Sequence, residues 1–580
     1  MNKPAVIVSL CCCSLLLHAC GASSRVSSLV AGGGSAVGGN KSGGGVPATT
    51  HLSVTVPPSA TVGTVFNVTV TALGVSNNMV TQYAGTVHFT SSDLHASLPP
   101  DSTLANGTMT FSATLMTTGS QTITATDTVS VSITGTSDPI TVSSLLSKIE
   151  HVVVIFQENR SPDNLFHDPV LIANGADIAS SGLNSSGATV PLTAAPLGID
   201  YDLNHTHSAF VAMYDGGKMD GADKVGVYHN ASPPPNPQFK YVQASDVSPY
   251  FKIAEQYTFG DRMFQTNQGP SFPAHQFIIS GTSAPTATSN LFAAENPNGG
   301  AGCAAAPGST VALIDPDGIE SSSTYPCFEH PALTDELDAK GLSWRYYTPN
   351  AGGFGDNAGS IWTAPNAIQH LCGPNATPPN ATACTGSSWV SNVVLYTAQN
   401  PAPILTDIFN KRLPAVSWVI PAGQNSDHAG VATFTGGPSW VASIVNAIGS
   451  SSYWSNTVII ITWDDWGGWY DHVPPPQVSI NNNNWGSGYI YGFRVPLIVV
   501  SPYAKARYIS HVTHDFGSIL NFIEQVFNLS SLGFADAHAD DLSDCFNFSQ
   551  TPLQFQKIPA PMSTAHFLND RTPAADPDDE

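Results

Sequence analysis

The stretch TVIIITWDDWGG, residues Thr457 to Gly468, decides the predicted fold class of this chain. Its first half is a β-branched apolar run, which is typical of a buried strand. The run leads into two adjacent carboxylates, Asp464 and Asp465, and two glycines then permit a tight turn. Open α/β sheets place their sites at the carboxyl ends of strands, where paired carboxylates favour a hard cation and a phosphate ester. A capped helix with a solvated turn is the alternative, which the scarcity of charge in the chain disfavours.

The composition is acidic and poor in charge. Charged residues make up 11% of the 580 residues, against roughly 25% in soluble proteins. Lys and Arg total 19, Asp and Glu total 42, and the formal net charge is −23. Nucleic-acid binding and electrostatic docking on anionic lipid both need a basic face. We therefore expect no nucleic-acid partner, and the hydrophobic share of 42% is ample for a large core.

The N-terminus is predicted to be a targeting segment over residues 1–19. Lys3 supplies a positive charge, and the apolar run Ala5–Leu17 is too short to span a bilayer as a helix. The string LHAC, which ends at Cys20, resembles a bacterial lipobox and implies cleavage before Cys20 and lipidation of its thiol. The prediction is an exported cell-envelope lipoprotein that contacts the membrane through a lipid anchor. An ordinary secretory signal, which would release a secreted protein, is the alternative.

Two regions of different composition follow. Residues 20–48 are rich in Gly and Ser and are predicted to be a flexible tether. Residues 49–144 contain short alternating runs separated by turn residues, which predict an all-β sandwich. These runs are 52–56, 66–71, 86–90, 109–113, 121–126 and 129–133. The region resembles bacterial immunoglobulin-like modules, and the roles of spacer and adhesion module both stay open.

From about residue 147 the pattern changes to strands that alternate with helices. Strands are predicted at Ile149–Phe156, Val416–Ile420 and Val495–Ser501. Apolar residues at helical spacing from Phe516 to Phe527 predict a packed helix. Residues 147–565 are therefore predicted to form an α/β domain, a layered sheet flanked by helices. Residues 566–580 are predicted to be an acidic, disordered tail.

Five cysteines lie in the body of the chain, at 303, 327, 372, 384 and 545. Their spacings match no zinc motif, and export favours disulfides. The economical pairings are Cys303 with Cys327 and Cys372 with Cys384, which leave Cys545 over. The sequence alone leaves the connectivity open.

Further polar clusters lie mostly beside predicted strand ends. They are Glu158-Asn159 in QENRS, Ser271 in NQGPSFPAH, Asp427-His428 in QNSDH, and the group of His205, His207 and Lys218. Glu158 and Asn159 offer two oxygen ligands. Ser271 follows Gly-Pro and does not stand in a Gly-x-Ser-x-Gly elbow, which disfavours a lipase-type triad. Capping of a helix is the alternative role for Ser271, but the clusters together indicate a site.

Several of these strings, taken in order, resemble the bacterial phosphoesterase family, which contains acid phosphatases and phosphatidylcholine-type phospholipases C. The strings are 149–161, 269–273, 426–428, 464–476 and 494–502. The resemblance covers about residues 147–530. It implies an alkaline-phosphatase-like α/β core that follows the immunoglobulin-like sandwich.

The resemblance also implies a divalent metal ion and a set of site residues. The implied metal ligands are Glu158, Asn159, Asp464, Asp465 and Ser271. Ser271 would be the nucleophile, and His428 would contact the phosphoryl oxygens or assist the leaving group. The candidates for substrate binding or for support of the ligands are His205, His207, Lys218, Asp427, Asp471 and His472. Many relatives carry Asp-Glu-His where this chain has Asp464-Asp465-Trp466, so the number and identity of the metal ions stay open.

The expected function is an exported metal-dependent phosphoesterase that works through a phosphoserine intermediate. The substrate is a phosphate monoester or a diester such as a phospholipid. An aromatic cage for a choline head group could draw on Trp463, Trp466, Trp469 and Tyr470, but a structural role is favoured for these residues. A surface adhesion protein with an inactive phosphoesterase-like domain is the rival hypothesis. A sulfatase is disfavoured because the string that begins at Ser271 lacks the required Arg. The oligomeric state stays open.

Overall fold

The computed structural model describes residues 48–228, 232–349, 361–478 and 490–574. The predicted signal peptide 1–19, Cys20 and all of the tether except residue 48 lie outside the described residues. The described chain forms two compact units. The first contains residues 48–58, 65–114 and 121–140, and the second contains 59–64, 115–120 and the described residues from 141 onwards.

The N-terminal region is built of strands, as predicted. Its strands are β1 Thr49–Thr55, β2 Ser59–Thr61, β3 Val65–Gly74, β4 Thr86–Ser91, β5 Ser102–Thr103, β6 Thr108–Thr114, β7 Gly119–Gln121, β8 Ile123–Asp127, β9 Thr134–Thr136 and β10 Ile140–Ser143. They form sheets in the orders β1-β3-β6, β5-β4-β8-β9 and β2-β10-β7. Along β3 the alternation buries Val68, Val70 and Ala72. The likeness to immunoglobulin-like modules stays a prediction.

One predicted strand in this unit is wrong. Residues 129–133 form a turn, in which Val129 is 89% exposed and Val131 is 72% exposed. The Asp127 carboxylate accepts hydrogen bonds from the backbone N–H groups of Val129 and Ser130, at 2.8 and 2.7 Å. Because an Asp side chain that binds the following backbone closes a turn, it overrides the alternating pattern here.

The second unit alternates strands with helices. Its strands are β11 His151–Gln157, β12 Ser181–Leu183, β13 Thr189–Pro191, β14 Thr193–Ala195, β15 Asp202–Leu203, β16 Val227–Tyr228, β17 Lys240–Val242, β18 Thr258–Phe264, β19 Phe292–Ala293, β20 Val311–Ile314, β21 Glu320–Thr324, β22 Trp344–Thr348, β23 Val393–Leu395, β24 Val416–Val419, β25 Thr457–Trp463, β26 Arg494–Val500 and β27 Tyr508–Ser510. Its helices are α1 Pro162–Leu165, α2 Pro169–Ala173, α3 His207–Tyr214, α4 Ala244–Ala254, α5 Ser271–Ser280, α6 Leu333–Ala339, α7 Gln369–Cys372, α8 Ser387–Asn392, α9 Pro403–Phe409, α10 Gly436–Gly449, α11 Phe516–Phe527 and α12 Thr564–Asn569. Short 3₁₀ turns lie at Leu145–Lys148, Asp215–Gly217, Ala222–Lys224, Ala364–Asn366, Gly423–Asn425, Ser452–Asn456, Ala535–Ala537 and Ser543–Cys545.

An eight-stranded sheet in the order β23-β22-β24-β11-β25-β26-β18-β27 forms the centre of this unit. All of its strands run parallel except β26, which is antiparallel to both of its neighbours. The carboxyl ends of β11, β18, β24 and β25 therefore lie on one edge. Every residue of β25 and β26 is buried, which explains why these strands read as continuous apolar runs. The predicted α/β fold class is confirmed.

Sheet and helices share one hydrophobic core, in which α10 packs against α4 and α5 packs against α11. Two disulfides join Cys303 to Cys327 and Cys372 to Cys384. Cys545 is a buried free thiol. Within the described residues, no helix is both long enough and apolar enough to cross a membrane.

The predicted boundary of the acidic tail at residue 566 needs correction. The helix α12 covers Thr564–Asn569, and Phe567 is buried with its ring 5.3 Å from that of Trp440 on α10. Leu568 also packs against the core, so two apolar side chains anchor this short segment. Residues 575–580 of the predicted tail lie outside the described residues.

We expect Phe567→Ala to destabilise the second unit by about 3 kcal/mol, because the truncation leaves a cavity against Trp440. The measurement is denaturant unfolding followed by tryptophan fluorescence. Phe409→Ala is the matched control, since Phe409 is 56% exposed, and its effect should stay within about 0.5 kcal/mol. Equal losses in the two variants would contradict an anchoring role for α12.

Candidate functional site

The polar clusters predicted from the sequence lie together at the edge of the sheet formed by the carboxyl ends of its parallel strands. Glu158 and Asn159 follow β11, and Asp464 and Asp465 follow β25. Ser271 is the first residue of α5, which follows β18. His428 lies in the loop after β24. All of these side chains are almost completely buried.

Asn159 is held in an unusual conformation by the turn after β25. Its φ is +62°, and its N–H donates to Asp464 Oδ1 at 2.9 Å. Gly467 also has a positive φ, and a Cβ at that position would lie 2.3 Å from the Asn159 carbonyl oxygen. Only glycine fits both constraints at 467. The segment Asp464–Gly468 therefore supplies carboxylates to the site and also holds the backbone of Asn159 in place.

Three oxygens converge beside this turn. The Asn159 amide oxygen lies 3.3 Å from Glu158 Oε2 and 3.3 Å from Asp464 Oδ1, while its amide nitrogen lies 2.9 Å from His205 Nε2. His205 Nδ1 donates to the Leu203 carbonyl at 2.8 Å, so neutral His205 accepts at Nε2 from the amide nitrogen. The reverse amide orientation would need a doubly protonated His205. Carboxylate and amide oxygens are the ligands that hard cations take in proteins.

Ser271 lies next to this group. Its Oγ is 3.5 Å from Asp465 Oδ2, and Asp465 Oδ1 accepts from the Gly467 N–H at 2.7 Å. The serine begins a ten-residue helix, whose N-terminal N–H groups favour negative charge nearby. The hydroxyl is therefore placed where an anion would be stabilised.

His275, one turn further along α5, completes the group and was not predicted as a site residue. Its Nε2 lies 3.3 Å from Glu158 Oε1 and 4.0 Å from Asp464 Oδ2. Burial lowers the pKa of His275 to about 4, although Asp464 acts in the opposite direction. The usable sequence signal was its spacing of four residues from Ser271, which puts both side chains on one helix face.

His428 approaches the group from the loop after β24. Its ring centroid is 5.9 Å from that of His205, and its Nε2 lies 4.0 Å from Asp202 Oδ2. His428 Nδ1 donates to the Ala429 carbonyl at 2.6 Å, which leaves Nε2 as the nitrogen able to exchange a proton. Asp202 is a second site residue that the sequence did not single out.

Comparison with known proteins assigns the family. The sequence profile of the phosphoesterase family matches residues 149–530, which is more than half of the chain. The chain belongs to the phosphoesterase family. It is a hydrolase of phosphoric esters, which confirms the predicted enzyme class.

Two similar relatives are phospholipases C. Phospholipase C A of Mycobacterium tuberculosis is 25% identical over 448 residues, which cover 70% of this chain and 79% of the relative. Non-hemolytic phospholipase C of Pseudomonas aeruginosa is 24% identical over 450 residues, which cover 70% of this chain and 58% of the relative. Among solved structures, a protein in the alkaline phosphatase superfamily from Vibrio parahaemolyticus is 9% identical, with coverage of 67% of this chain and 70% of the other and a TM-score of 0.30.

Two predicted contact residues of this phosphoesterase lie at the edge of the site or away from it. His207 Nδ1 is 2.7 Å from Glu320 Oε1, and its Nε2 is 3.2 Å from Gln268 Oε1 in the loop before Ser271. The structure does not bring Lys218 into the group. Its ammonium pairs with Asp215 at 2.9 Å, and its side chain is 66% exposed.

Asp427 lies beside His428 in sequence, and its carboxylate anchors the loop that carries His428. Its carboxylate accepts from the Tyr250 hydroxyl at 2.7 Å and from Trp463 Nε1 at 3.0 Å. Burial raises the pKa of Asp427 to about 6, and the bonds from Tyr250 and Trp463 oppose that rise. Of these two neighbours, Asp427 therefore supports the loop, and His428 faces the site.

Asp471 and His472 belong to an ionic network around the buried Arg494 and Asp163. Arg494 forms a two-pronged bond with the Asp471 carboxylate, at 2.9 and 3.0 Å, and reaches Asp163 at 3.2 Å. His472 Nδ1 lies 2.7 Å from Asp163 Oδ2, and its Nε2 lies 3.0 Å from Asp177 Oδ1. These bonds hold the loop after β25.

The four aromatic residues that could contribute to a cage for a choline group have structural positions instead. Trp463, Trp466, Trp469 and Tyr470 are at most 5% exposed and pack in hydrophobic clusters. The ring of Trp469 stacks instead with the guanidinium of buried Arg160, 4.8 Å away. A choline head group would need other residues.

We expect Gly467→Ala to cost more stability than Gly187→Ala. Both glycines have a positive φ, so each alanine should cost about 1–2 kcal/mol, but only at 467 does the new Cβ meet backbone, that of Asn159. The clash should add about 1–3 kcal/mol. Chemical unfolding of both variants tests this, and equal losses would argue against a tight fit of the turn on Asn159.

We expect His472 to make stability depend on alkaline pH. Burial alone would lower its pKa, but hydrogen bonding and attraction to Asp163 outweigh burial and raise the pKa from 6.5 to about 9. A raised pKa means that the stabilisation is complete below pH 6.5 and is lost as the pH rises through about 9.

The measurement is the thermal midpoint between pH 6 and 10 for the parent protein and His472→Gln. The variant should be less stable at low pH and should show a flatter decline. His95→Gln, at an exposed position of the first unit, is the control. A parallel decline in the parent and His472→Gln would refute the assignment.

Proposed function

We propose that the chain is an exported, metal-dependent phosphoesterase that cleaves phosphate esters through Ser271. The observation that carries this is the convergence of Asn159, Glu158 and Asp464 oxygens beside the Ser271 hydroxyl. Export rests on the predicted segment 1–19, and anchoring to a membrane rests on Cys20.

The residues present fit a divalent cation. Carboxylates of Glu158, Asp464 and Asp465, with the amide oxygen of Asn159 and the hydroxyl of Ser271, would hold it. When bound, the cation would lower the pKa of the serine hydroxyl and neutralise charge on the phosphoryl oxygens. The buried Asp464 Oδ2, which has no hydrogen-bond partner among the described residues, is the feature of the fold that supports this fit.

The chain's own groups would supply the nucleophile and move the protons in two in-line displacements. Ser271 Oγ attacks phosphorus while its proton passes towards Asp465 Oδ2, and the bond to the leaving oxygen breaks. His428, whose Nε2 lies 4.0 Å from Asp202 Oδ2, gives a proton from Nε2 to that oxygen. Water then attacks the phosphorus of the phosphoserine while His428 takes a proton from the water. The bond between phosphorus and Ser271 Oγ breaks, Asp465 returns its proton to Oγ, and inorganic phosphate or a phosphomonoester leaves.

The substrate is a phosphate monoester or a phosphodiester. The two relatives named above are phospholipases C, which supports a phospholipid diester as substrate. The buried Trp463, Trp466, Trp469 and Tyr470 do not supply a cage for a choline group, which removes one argument for that head group. Assays on both substrate classes therefore belong in the same experiment.

We expect Ser271→Ala to lower hydrolysis of p-nitrophenyl phosphate or p-nitrophenylphosphorylcholine by at least about 10³-fold, because the nucleophile is lost. Ser280→Ala is the matched control, since Ser280 is an equally buried serine at the other end of the same helix. It should retain nearly full activity. A chelator should abolish activity of the parent, and added metal should restore it.

Each outcome decides a specific point. Turnover of the monoester identifies a phosphatase, and turnover confined to the choline diester identifies a phospholipase C. Activity retained by Ser271→Ala would refute the nucleophile. A folded parent protein with neither metal nor activity would favour the rival adhesion protein with an inactive domain.

A further inference from the structure

The proton positions around His275 can be read from its neighbours. The Tyr346 hydroxyl donates its proton to the Trp362 carbonyl at 2.8 Å. Its oxygen is 3.2 Å from His275 Nδ1 and also accepts from the Ala364 N–H at 3.4 Å. Because a hydroxyl has one proton, His275 Nδ1 has to be the donor to Tyr346. In neutral His275 the lone pair is therefore on Nε2.

That lone pair faces carboxylates. His275 Nε2 lies 3.3 Å from Glu158 Oε1 and 4.0 Å from Asp464 Oδ2, and all three side chains are completely buried. Within the described part of the chain, neither His275 Nε2 nor Asp464 Oδ2 has a hydrogen-bond partner. Electron-rich atoms that meet without a proton in a buried site repel one another unless a cation lies between them.

The imidazole is also held rigidly. Phe156 meets it edge to face at 4.8 Å between centroids, and Trp362 lies nearly parallel to it, 11° between planes and 6.5 Å away. Together with the Nδ1 bond to Tyr346, these contacts fix the direction of Nε2 before any ligand arrives. Metal-binding histidines in proteins characteristically donate their second ring nitrogen to such a fixed acceptor.

We propose that His275 is a nitrogen ligand of this phosphoesterase's metal ion, together with Glu158 and Asp464. The ion is then a first-row transition metal such as zinc, manganese or iron, because imidazole suits these ions whereas magnesium and calcium take oxygen ligands. The inference rests on the proposed function only for the presence of a metal at this edge of the sheet.

The test is nitrogen coordination in the full-length protein, dialysed against chelator and reloaded with Mn²⁺. Pulsed electron paramagnetic resonance should detect ¹⁴N coupling in the parent protein. The coupling should be lost in His275→Gln and kept in His330→Gln. His330 is the matched control because it is an equally buried histidine whose Nδ1 lies beside a backbone carbonyl, that of Pro331.

Metal preference gives a second readout. Competition titrations should show that the parent protein prefers Zn²⁺ over Mg²⁺, and His275→Gln should lose at least about tenfold of that preference. Tyr346→Phe removes the acceptor of the Nδ1 proton without touching the ligands and should weaken Mn²⁺ binding by about 10- to 100-fold. If His275→Gln does not fold, Tyr346→Phe and the parent spectrum still decide the question.

The outcomes separate this inference from the proposed function. Nitrogen coupling that is absent from the parent protein, or that persists in His275→Gln, overturns His275 as a ligand and leaves Ser271 chemistry standing. Coupling that depends on His275 in a protein without esterase activity supports the ligand and overturns the proposed function. A parent protein that binds no Mn²⁺ or Zn²⁺ overturns both.

Discussion

The register between β11 and β25 is the constraint on which the rest of the site depends. The two strands pair in parallel with Gln157 opposite Trp463, so Glu158-Asn159 and Asp464-Asp465 leave the sheet side by side. A slip of one residue would move one pair along the edge by about 3.3 Å. The bond from the Asn159 N–H to Asp464 would then be lost. The apolar cores of the strands thus position oxygens that lie outside the sheet.

The reversed direction of β26 brings a different kind of group to the same edge. Because this strand is antiparallel to β25, its first residue, Arg494, lies where the other strands end. Its guanidinium meets the buried carboxylates of Asp471 and Asp163, and His472 adds the second positive charge. A chain with only 11% charged residues thus uses several of them internally, to hold the loop that follows Asp464 and Asp465.

The strand ends and their carboxylates could be predicted because a β-branched run that stops at polar residues is typical of a buried strand reaching the edge of its sheet. The division of labour within a cluster could not be predicted. Asp427 and His428 are neighbours in sequence, but their side chains have different partners. The Asp427 carboxylate accepts hydrogen bonds from Tyr250 and Trp463, whereas the His428 ring lies beside that of His205. Residue type and spacing do not reveal such partners, because they come from segments far away in the chain.

By itself, the sequence determined the α/β class, the edge of the sheet that carries the site, and the family, since these follow from local runs and ordered motifs. Only the tertiary structure decided that the lone pair of His275 Nε2 faces the Glu158 carboxylate. The Nε2 of His275 faces Glu158 because Tyr346, 71 residues further along, accepts the hydrogen bond from Nδ1. Trp362, 87 residues further along, packs against the imidazole ring and holds its orientation. Proton positions depend on such hydrogen-bond partners, and only the folded chain brings them together.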